Sequence, residues 1–232
     1  MKQTISFAVL AAVLCVGSCL FAECPNATPE GENLFAGKTL DDFDAFLVDD
    51  GQKDKVFKLE DGILKISGTP FGWLAPKGKT YKNFTLRTEI RHPNSSERAN
   101  SGLFLHIMKP TETFLPHCLE VQMQTGNVGA IFSFHGEKLS GDADRTSQKS
   151  NQVGGDMTIV NRFQSGQIQD PEVWNKVEVT CFESLVFVRV NGVLVNWAYG
   201  VEPQAGQLGF QSEGGEVWYR NAYIVEEKTA EK

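Results

Sequence analysis

Between Val56 and Glu226 apolar and polar positions alternate with a period of two, and the segment around residues 82–92 shows this most clearly. Its positions divide into an apolar set and a polar set, namely Phe84, Leu86, Thr88 and Ile90 against Thr85, Arg87, Glu89 and Arg91. Successive side chains of a β-strand point to opposite faces of its sheet. The pattern therefore predicts a half-buried strand with one polar face.

Turn signals divide the rest of this region into short strands. Glu60-Asp61-Gly62 and Asn191-Gly192 predict tight hairpins, and Glu213-Gly214-Gly215 separates the last two strands. We expect roughly ten to thirteen strands at intervals of about 8–12 residues, and no helix after the N-terminal segment. This organisation is typical of an all-β protein, either a two-sheet antiparallel sandwich or a barrel.

The stretch from Asn100 to Met123 carries the richest chemistry, and it predicts two strands joined by a turn, NSGLFLHI and CLEVQM. Alternation gives two sets of side chains, an apolar one of Leu103, Leu105, Ile107, Leu119, Val121 and Met123 and a second one of Phe104, His106, Cys118, Glu120 and Gln122. If the two strands lie near each other in one sheet, His106, Glu120 and Gln122 share a surface. That surface is either a sugar site or an ordinary solvated sheet face.

Residues 1–22 have the features of a secretory signal, because Lys2 precedes an apolar run from Ile5 to Val16 and small residues follow. The run is too short for a convincing membrane span, and no later segment is apolar enough to cross a membrane. Cleavage before Glu23 is one expected outcome, and the alternative is a bacterial lipoprotein box that ends at a lipidated Cys19. Both predict an exported protein of the periplasm or cell envelope.

We expect a polar tether at residues 23–33, a single domain at residues 34–227 and a tail at residues 228–232. A mature chain of about 210 residues is long enough to bury a sizeable core. The net charge of −7 argues against nucleic acid or an anionic membrane surface as the main partner. It does not argue against neutral ligands such as sugars.

Two further patterns carry structural predictions. Cys118 and Cys181 both lie in strand-like segments, so in an exported protein they either form a disulfide or act as small buried side chains. The polar stretch at residues 137–155 predicts a long loop of the functional or disordered kind. Its Asp142 and Asp144 lack the later glutamate of an EF-hand calcium loop.

Several segments occur in an order that resembles one family, namely LFAGKTL, GWLAPKGKTYKNFTLRTEIR, NSGLFLH, LEVQM followed by GAIF, WNKVEV, VNGVLVN and GQLGFQSEGGEVWYRNAYI. They span roughly Leu34 to Glu226 and resemble the bacterial 3-keto-disaccharide hydrolase family, also described as 3-keto-glucoside 1,2-lyase/3-keto-2-hydroxyglucal hydratase. The resemblance implies a concanavalin-A-like lectin/glucanase jelly roll. It also implies an enzyme, a hydrolase or lyase, whose partner is a 3-keto-glycoside or a related oligosaccharide.

The resemblance also implies positions for the site. Glu120 and Gln122 match the family's Glu-x-Gln strand, residues 100–102 match its Asn-Ser-Gly motif, and Arg220 with Asn221 matches its penultimate pair. His106 stands where the family commonly has arginine.

The implied reaction needs one proton-transferring carboxylate rather than the paired carboxylates of ordinary glycosidases. A ketone at C3 acidifies the C2 proton, a general base removes it, and the C1 oxygen leaves from the resulting enolate; water can later add back. We expect Glu120 to be the base and His106 to be its catalytic partner. His135 is a second candidate for acid, base or metal ligand.

The remaining candidates would bind the substrate. We expect Gln122, Glu89, His135 and Arg162 to contact hydroxyl groups or the enolate, and Trp73 to stack on a sugar ring. A divalent metal is a further hypothesis, in which His106, His135, Glu120 and the Asp142/Asp144 loop converge on one ion, although no standard ligand spacing is present.

Two other functions fit the same sequence less directly. Because the implied fold also hosts lectins, the second hypothesis is a non-catalytic glycan-binding module of the cell envelope. A conventional endo-glycanase ranks last, because such enzymes usually carry paired acidic residues on one strand and this strand offers only Glu120. The chain also lacks the nucleophile elbow of serine hydrolases and the phosphate-binding loop of NTPases.

Overall fold

The computed structural model describes residues 30–94, 98–108, 113–164, 170–202 and 204–228. The predicted signal at residues 1–22, including Cys19, lies outside this part of the chain, as do most of the predicted tether and of the tail. Within the described ranges, no helix has the length and apolar character needed to cross a membrane.

Two antiparallel sheets of eight strands each make up the fold. The first sheet contains β1 (Glu32–Asn33), β3 (Phe57–Glu60), β4 (Ile63–Ile66), β6 (Phe84–Arg91), β12 (Asn175–Phe182), β13 (Leu185–Val190), β14 (Val193–Tyr199) and β16 (Val217–Glu226). The second sheet contains β2 (Phe43–Leu47), β5 (Gly72–Pro76), β7 (Gly102–Ile107), β8 (Leu119–Gln122), β9 (Ile131–Ser133), β10 (Thr146–Asn151), β11 (Gly155–Val160) and β15 (Gln207–Ser212). The helical residues form a 3₁₀ turn at Leu40–Asp42 and the short helix α1 at Lys53–Val56. The predicted all-β, two-sheet jelly-roll sandwich is confirmed.

The last two strands of the chain lie inside the sheets rather than at their edges. In the first sheet β16 pairs with both β6 and β4, and in the second sheet β15 pairs with both β7 and β5. The sheets are therefore completed by residues 207–226, although those residues come at the end of the sequence.

Alternation places the predicted side chains in the core between the sheets, which we call the main core. Phe84, Leu86 and Ile90 of β6 are buried there, while Arg87 and Glu89 on the other face are partly exposed. The predicted Asn191-Gly192 hairpin is also present, with positive φ angles of 49° and 83° as a type I′ turn requires.

A second apolar cluster covers the outer face of the second sheet, which points away from the main core. Its buried members are Trp73, Ala75, Phe104, Ile107, Leu115, Cys118, Phe134 and Met157. Part of the cluster comes from residues 113–118, which lie between β7 and β8 and which we call the strap. The Thr113 hydroxyl holds the strap, because its single hydrogen is shared between the Leu115 and Val153 carbonyls, which lie 2.7 and 3.2 Å away. Most of this sheet face is therefore covered rather than solvated.

Three sequence predictions need correction. The described residues contain sixteen strands rather than ten to thirteen, and one of them, β10, lies inside the predicted loop at residues 137–155. It escaped detection because it is an exposed edge strand, TSQKSN, without apolar alternation. The predicted tether at residues 23–33 ends too late, because β1 at Glu32–Asn33 already pairs with β16.

The predicted alternative of a disulfide between Cys118 and Cys181 is wrong. Both cysteines are free and buried. They lie in different parts of the fold, since Cys118 ends the strap and belongs to the outer-face cluster of the second sheet, whereas Cys181 lies in β12 and belongs to the main core. Each is a small buried side chain, as the other alternative expected.

Candidate functional site

Polar side chains interrupt the apolar outer face of the second sheet along one row across β8, β7, β15 and β5. Gln122 pairs with Gly102, and Gln211 pairs with Trp73. Strand β15 pairs with β7 through Phe210 and Leu103, so the next residues, Gln211 and Gly102, are neighbours. The row therefore runs from Gln122 over Gly102 to Gln211 and Trp73.

Glu120 fills the gap that Gly102 leaves in this row. A Cβ atom at position 102 would overlap Oε1 of Glu120 and lie 2.7 Å from its Cγ and Cδ atoms. The carboxylate thus lies across the glycine, between the two glutamine positions. This explains the glycine of the Asn-Ser-Gly motif, because any larger residue would displace Glu120.

Glu120 is buried, with 2% of its surface exposed, and its Oε1 makes no hydrogen bond to the described residues. Burial raises the pKa of this carboxyl well above its usual range, and the charge of Glu213 raises it further. A buried carboxylate without compensation is unstable in its charged form. Glu120 therefore tends to hold a proton where an exposed glutamate would be ionised.

The second carboxylate, Glu213, lies in the turn between β15 and β16 and is partly exposed. The Asn100 side-chain amide donates a hydrogen bond to Glu213 Oε2. Burial raises the pKa of Glu213 to about 7, and the nearby Gln211 side chain acts in the opposite direction. The two carboxyl groups therefore interact electrostatically, and the charge of Glu213 adds to the effect of burial in raising the pKa of Glu120.

We call Asn100, Glu120, Gln122, Gln211 and Glu213 the site cluster. Gln211 is completely buried, yet neither of its amide atoms makes a well-aligned hydrogen bond to a described residue, and the same holds for Asn100 Oδ1. An unsatisfied buried polar atom costs about 1–3 kcal/mol. The site cluster can therefore offer both donors and acceptors to a polyhydroxylated ligand, next to two carboxyl groups that can transfer protons.

Ser101 fixes the strands beneath the cluster. Its hydroxyl lies 2.6 Å from the carbonyl oxygen of Gln211, to which it donates, and 2.7 Å from the Tyr219 hydroxyl. Tyr219 belongs to β16 of the first sheet and is fully buried in the main core. Each residue of the Asn-Ser-Gly motif therefore has its own structural role. Asn100 binds Glu213, Ser101 links the two sheets, and Gly102 leaves space for Glu120.

His106 does not share the surface of Glu120 and Gln122, so that expectation is wrong. The segment of β7 between Phe104 and Ile107 contains two residues, whereas the paired segment of β15 between Gly209 and Gln207 contains one. His106 is one of these two residues and adopts a positive φ of 57°. This β-bulge turns the imidazole towards the first sheet, where Nε2 contacts the Lys82 carbonyl at 2.9 Å and the ring packs edge-on against Phe84. Burial lowers the pKa of His106.

His135 and Arg162 are both bonded to backbone carbonyls. His135 Nε2 lies 2.8 Å from the Leu115 carbonyl and so holds the strap. Arg162 donates to the Gly126 and Val128 carbonyls at 2.8 and 3.2 Å, in the connection between β8 and β9. Neither side chain joins the site cluster through a hydrogen bond in the described residues.

Glu89 lies on the outer face of the first sheet, on the far side of the main core from Glu120. Trp73 is in the row beside Gln211, but only 4% of its surface is exposed and its ring stacks against Phe46 with centroids 6.2 Å apart. Gln122 keeps its predicted place next to Glu120, and its Oε1 accepts a hydrogen bond from the Met123 amide at 3.1 Å.

The hypothetical metal site of two histidines, Glu120 and the aspartate loop is not assembled. Among the described residues, no group of three or more His, Cys, Asp or Glu side chains is placed to hold a metal ion. Both His106 and His135 use Nε2 to contact backbone carbonyls, and Asp142 forms an ion pair with Arg145 at 2.9 Å.

Sequence reasoning missed the role of Glu213. The residue lies in a Glu-Gly-Gly turn signal, and nothing local distinguishes it from a solvated turn glutamate. Glu213 could have been placed in the cluster only by knowing that β15 pairs with β7. These strands are about a hundred residues apart in the sequence and meet only in the folded sheet.

Comparisons with known proteins agree with this fold. The family model described as the 3-keto-alpha-glucoside-1,2-lyase-like domain matches residues 30–225. Two Parabacteroides distasonis proteins, both provisionally described as glycosyl hydrolases, have similar structures. One is 18% identical, with a TM-score of 0.57 over 86% of this chain and 100% of its own. The other is 19% identical, with a TM-score of 0.59 over 84% of this chain and 93% of its own.

A third similar structure comes from a study of endo-acting O-glycanases of the human gut microbiota. It is 13% identical, with a TM-score of 0.52 over 87% of this chain and 100% of its own. No curated protein sequence matches the chain. At these identities the structural likenesses establish the fold alone.

Proposed function

Because the chain belongs to the 3-keto-alpha-glucoside-1,2-lyase-like family, which matches residues 30–225, we propose that it cleaves 3-keto-glycosides by proton transfer at C2 and loss of the C1 oxygen. The observation that carries the proposal is the environment of Glu120. This buried carboxyl lies in the family's Glu-x-Gln strand, has an unpartnered oxygen, and titrates together with a second carboxyl.

The chemistry requires a group that can take up and return a proton near neutral pH. The C2 proton must be removed and the leaving C1 oxygen must gain a proton, so a carboxyl group of ordinary pKa would be a weak acid–base catalyst for this reaction at neutral pH. Burial and a neighbouring negative charge raise the pKa of Glu120, and general acid–base catalysis is most effective when the pKa lies near the working pH. The environment of Glu120 thus moves its pKa in the direction that this chemistry favours.

Recognition of the sugar falls to the amide groups of the cluster. The amide oxygens of Gln211 and Asn100 have free hydrogen-bonding capacity, and Gln122 lies close to Glu120 on the same strand. A pyranose presents hydroxyl groups around an apolar ring, which suits amides that adjoin an apolar cluster. Because a buried unpaired amide is costly, a ligand hydroxyl that pairs with it contributes both affinity and orientation.

The proposal includes export. The basic and apolar pattern of residues 1–22 supports a signal peptide, and Cys19 supports the alternative of a lipid anchor at the cell envelope. The substrate would then be a 3-keto-glycoside or keto-oligosaccharide in the periplasm or at the cell surface.

The test is an assay of aglycone release from chemically 3-oxidised disaccharides and from their unoxidised parents, with and without a chelator. We expect release from the keto-sugars only, and we expect Glu120→Gln to lower the rate by about 10²–10⁴-fold, the usual loss when a general acid–base group is removed. Glu89→Gln is the matched control, because Glu89 is also a strand glutamate but lies on the first sheet.

Absence of release from every keto-sugar would contradict the proposal. Binding of glycans without turnover would then support the alternative of a non-catalytic glycan-binding module. A chelator-sensitive rate would show that a metal takes part.

A further inference from the structure

The two carboxyl groups of the site cluster lie at different depths. Glu120 is enclosed by the sheet, with 2% of its surface exposed, and it lies directly over Gly102. Glu213 lies closer to solvent, in a turn whose Gly214 and Gly215 are also partly exposed. A substrate that approaches from the side of this turn therefore meets Glu213 before it reaches Glu120.

The Glu213 carboxylate is held in place rather than freely mobile. The Asn100 side chain donates to Glu213 Oε2, and the Asn100 backbone amide donates to the Gly214 carbonyl. These two hydrogen bonds fix the turn at Glu213 and Gly214 to a single residue. Asn100 directly precedes Ser101 and Gly102, which position the strand under Glu120. The same motif thus sets the positions of both carboxyl groups.

Two buried groups without partners point towards a ligand between these residues. Oε1 of Glu120 and Oε1 of Gln211 are both more than nine-tenths buried, and neither makes a hydrogen bond to the described residues. A pair of carboxyl groups alone could be a structural feature that shares one proton. The additional unpaired amide oxygen next to it indicates a place where hydroxyl groups of a substrate are expected.

We propose that Glu213 is a second catalytic residue, which accepts the C2 proton while Glu120 donates a proton to the leaving C1 oxygen. This inference rests on the function proposed above and assigns two roles within it. The two residues act as one pair that holds a single proton at the start of the reaction.

Every proton and electron pair in this scheme has a donor and an acceptor. Carboxylate Glu213 takes the proton as the C2–H bond breaks, and the electron pair moves into an enolate of the C3 ketone. The enolate then forms the C1=C2 double bond and restores the ketone while the C1–O bond breaks. The leaving oxygen takes the proton of Glu120, so the products are a 3-keto-2-hydroxyglucal and the free alcohol. The pair again holds one proton, now on Glu213, and transfer between the two carboxyl groups resets it.

Burial favours this assignment over the reverse one. The more buried carboxyl, Glu120, is the one whose charged form is less stable, so the shared proton resides there in the free enzyme. Glu213 is partly exposed and hydrogen-bonded by Asn100, which stabilises its charged form. The pKa of Glu213, raised to about 7 by burial, makes it a stronger base than an exposed glutamate while leaving it ionised at slightly alkaline pH.

The experiment separates proton removal from loss of the alcohol. Exchange of the C2 proton is measured by NMR in D₂O with methyl 3-keto-glucoside, whose methoxide leaves slowly. Release of the aglycone is measured with 3-oxidised disaccharides and with 3-keto 4-nitrophenyl glucoside. The 4-nitrophenolate ion leaves without needing a proton, whereas a sugar alkoxide does need one.

In Glu213→Gln we expect the rate of enzyme-dependent C2 exchange to fall by about 10²-fold or more. The rates of aglycone release from the disaccharides and from the nitrophenyl glucoside should fall by the same factor. Glu120→Gln should keep exchange and nitrophenolate release within about tenfold of wild type while release from disaccharides falls by about 10²-fold or more. Glu216→Gln is the matched control, because Glu216 lies three residues further along the same turn, where its carboxylate accepts from Trp218 Nε1 at 2.6 Å. It should leave all three rates unchanged.

The outcomes distinguish the two proposals. If wild-type protein shows neither exchange nor release, the proposed function fails. If wild type is active but Glu213→Gln retains full C2 exchange, or if Glu120→Gln loses exchange as well, the present assignment is overturned. Thermal melting of each variant verifies folding, and Glu213→Asp covers the case in which the glutamine variant does not fold. A partial rate of exchange in Glu213→Asp supports the base role, and an unchanged rate contradicts it.

Discussion

Glu89 and Glu120 are both strand glutamates on the polar side of an alternating pattern, but the fold treats them differently. Glu89 points outward from the first sheet and both its oxygens are paired, Oε2 with the Arg220 guanidinium at 2.7 and 2.9 Å and Oε1 with the Asn221 amide at 2.9 Å. Glu120 points outward from the second sheet but is buried there, with an unpartnered oxygen. Of these two carboxylates, only Glu120 has an oxygen without a partner among the described residues.

The difference comes from what covers each sheet. The outer face of the first sheet meets solvent, and its charges neutralise one another, as in the Arg87–Glu178 pair at 2.9 Å. The outer face of the second sheet lies under the apolar cluster and the strap, and desolvation, followed by the charge of Glu213, raises the pKa of Glu120 there. Glu120 therefore differs from Glu89 in its burial and in its lack of a partner among the described residues, and not in its position in a strand.

The largest effect should come from closing the gap in which Glu120 lies. Gly102→Ala would place a methyl group on the carboxylate, so we expect the side chain to shift and the rate of keto-sugar cleavage to fall by about 10²-fold. Overpacking should also lower the free energy of unfolding by about 1–3 kcal/mol. Activity assays combined with urea denaturation measure both effects.

Gly209→Ala on β15 is the matched control for that substitution. Its Cβ would meet Ile107 and Phe104 at 2.8 and 3.3 Å, so it crowds the apolar cluster without touching the carboxylate. It should destabilise the protein while losing less activity than Gly102→Ala. Equal losses of activity in the two variants would show that general packing, rather than the position of Glu120, controls the rate.

A smaller effect should appear in the dependence of stability on pH. The folded-state pKa of Glu213, about 7, lies above its ordinary value of 4.5, so the folded protein binds more protons than the unfolded chain between these limits. Stability from this group is fully present below about pH 4.5 and is lost as the pH rises through about 7. We expect this loss to be roughly 1–3 kcal/mol.

The measurement is urea denaturation from pH 4 to pH 8 for wild type and Glu213→Gln. The difference between the two curves should change across that range, because the variant has no carboxyl to ionise. Parallel curves would mean that Glu213 titrates as an exposed residue and would weaken the comparison with Glu89.

The smallest effect should come from Glu89 itself. Replacing it by glutamine removes a partly exposed ion pair, and such pairs contribute about 0–1 kcal/mol. We expect a free energy of unfolding within about 1 kcal/mol of wild type and an activity within about twofold. A large loss of activity in Glu89→Gln would show that the outer face of the first sheet takes part in the reaction.

The sequence predicted correctly those features that depend only on neighbouring residues along the chain. The alternation of β6, the Asn191-Gly192 hairpin and the shared face of Glu120 and Gln122 follow from the period of a strand and from turn chemistry. The orientation of His106 was predicted wrongly, because one extra residue in β7 turns its side chain to the opposite face of the sheet. Such a bulge depends on the pairing with the partner strand, which the local sequence does not show.

The remaining differences also have non-local causes. Glu213 belongs to the site because β15 lies beside β7, a pairing that no local pattern encodes. Strand β10 forms without an apolar face because β11 supplies its hydrogen bonds. The two cysteines lie in strand-like segments as expected, but only the sheet assignment shows that they face different clusters.

The central positions of β15 and β16 also bear on how the chain folds. Until residues 207–226 have arrived, β5 and β7 lack their common neighbour, and so do β4 and β6. Closure of both sheets thus depends on contacts between distant parts of the chain, which makes for slow folding. Gln211 and Glu213 belong to this same part of the chain, so the site cluster is complete only when β15 has paired with β7. A chain in which β15 has not yet paired would carry the Asn-Ser-Gly motif and Glu120 without the other members of the cluster.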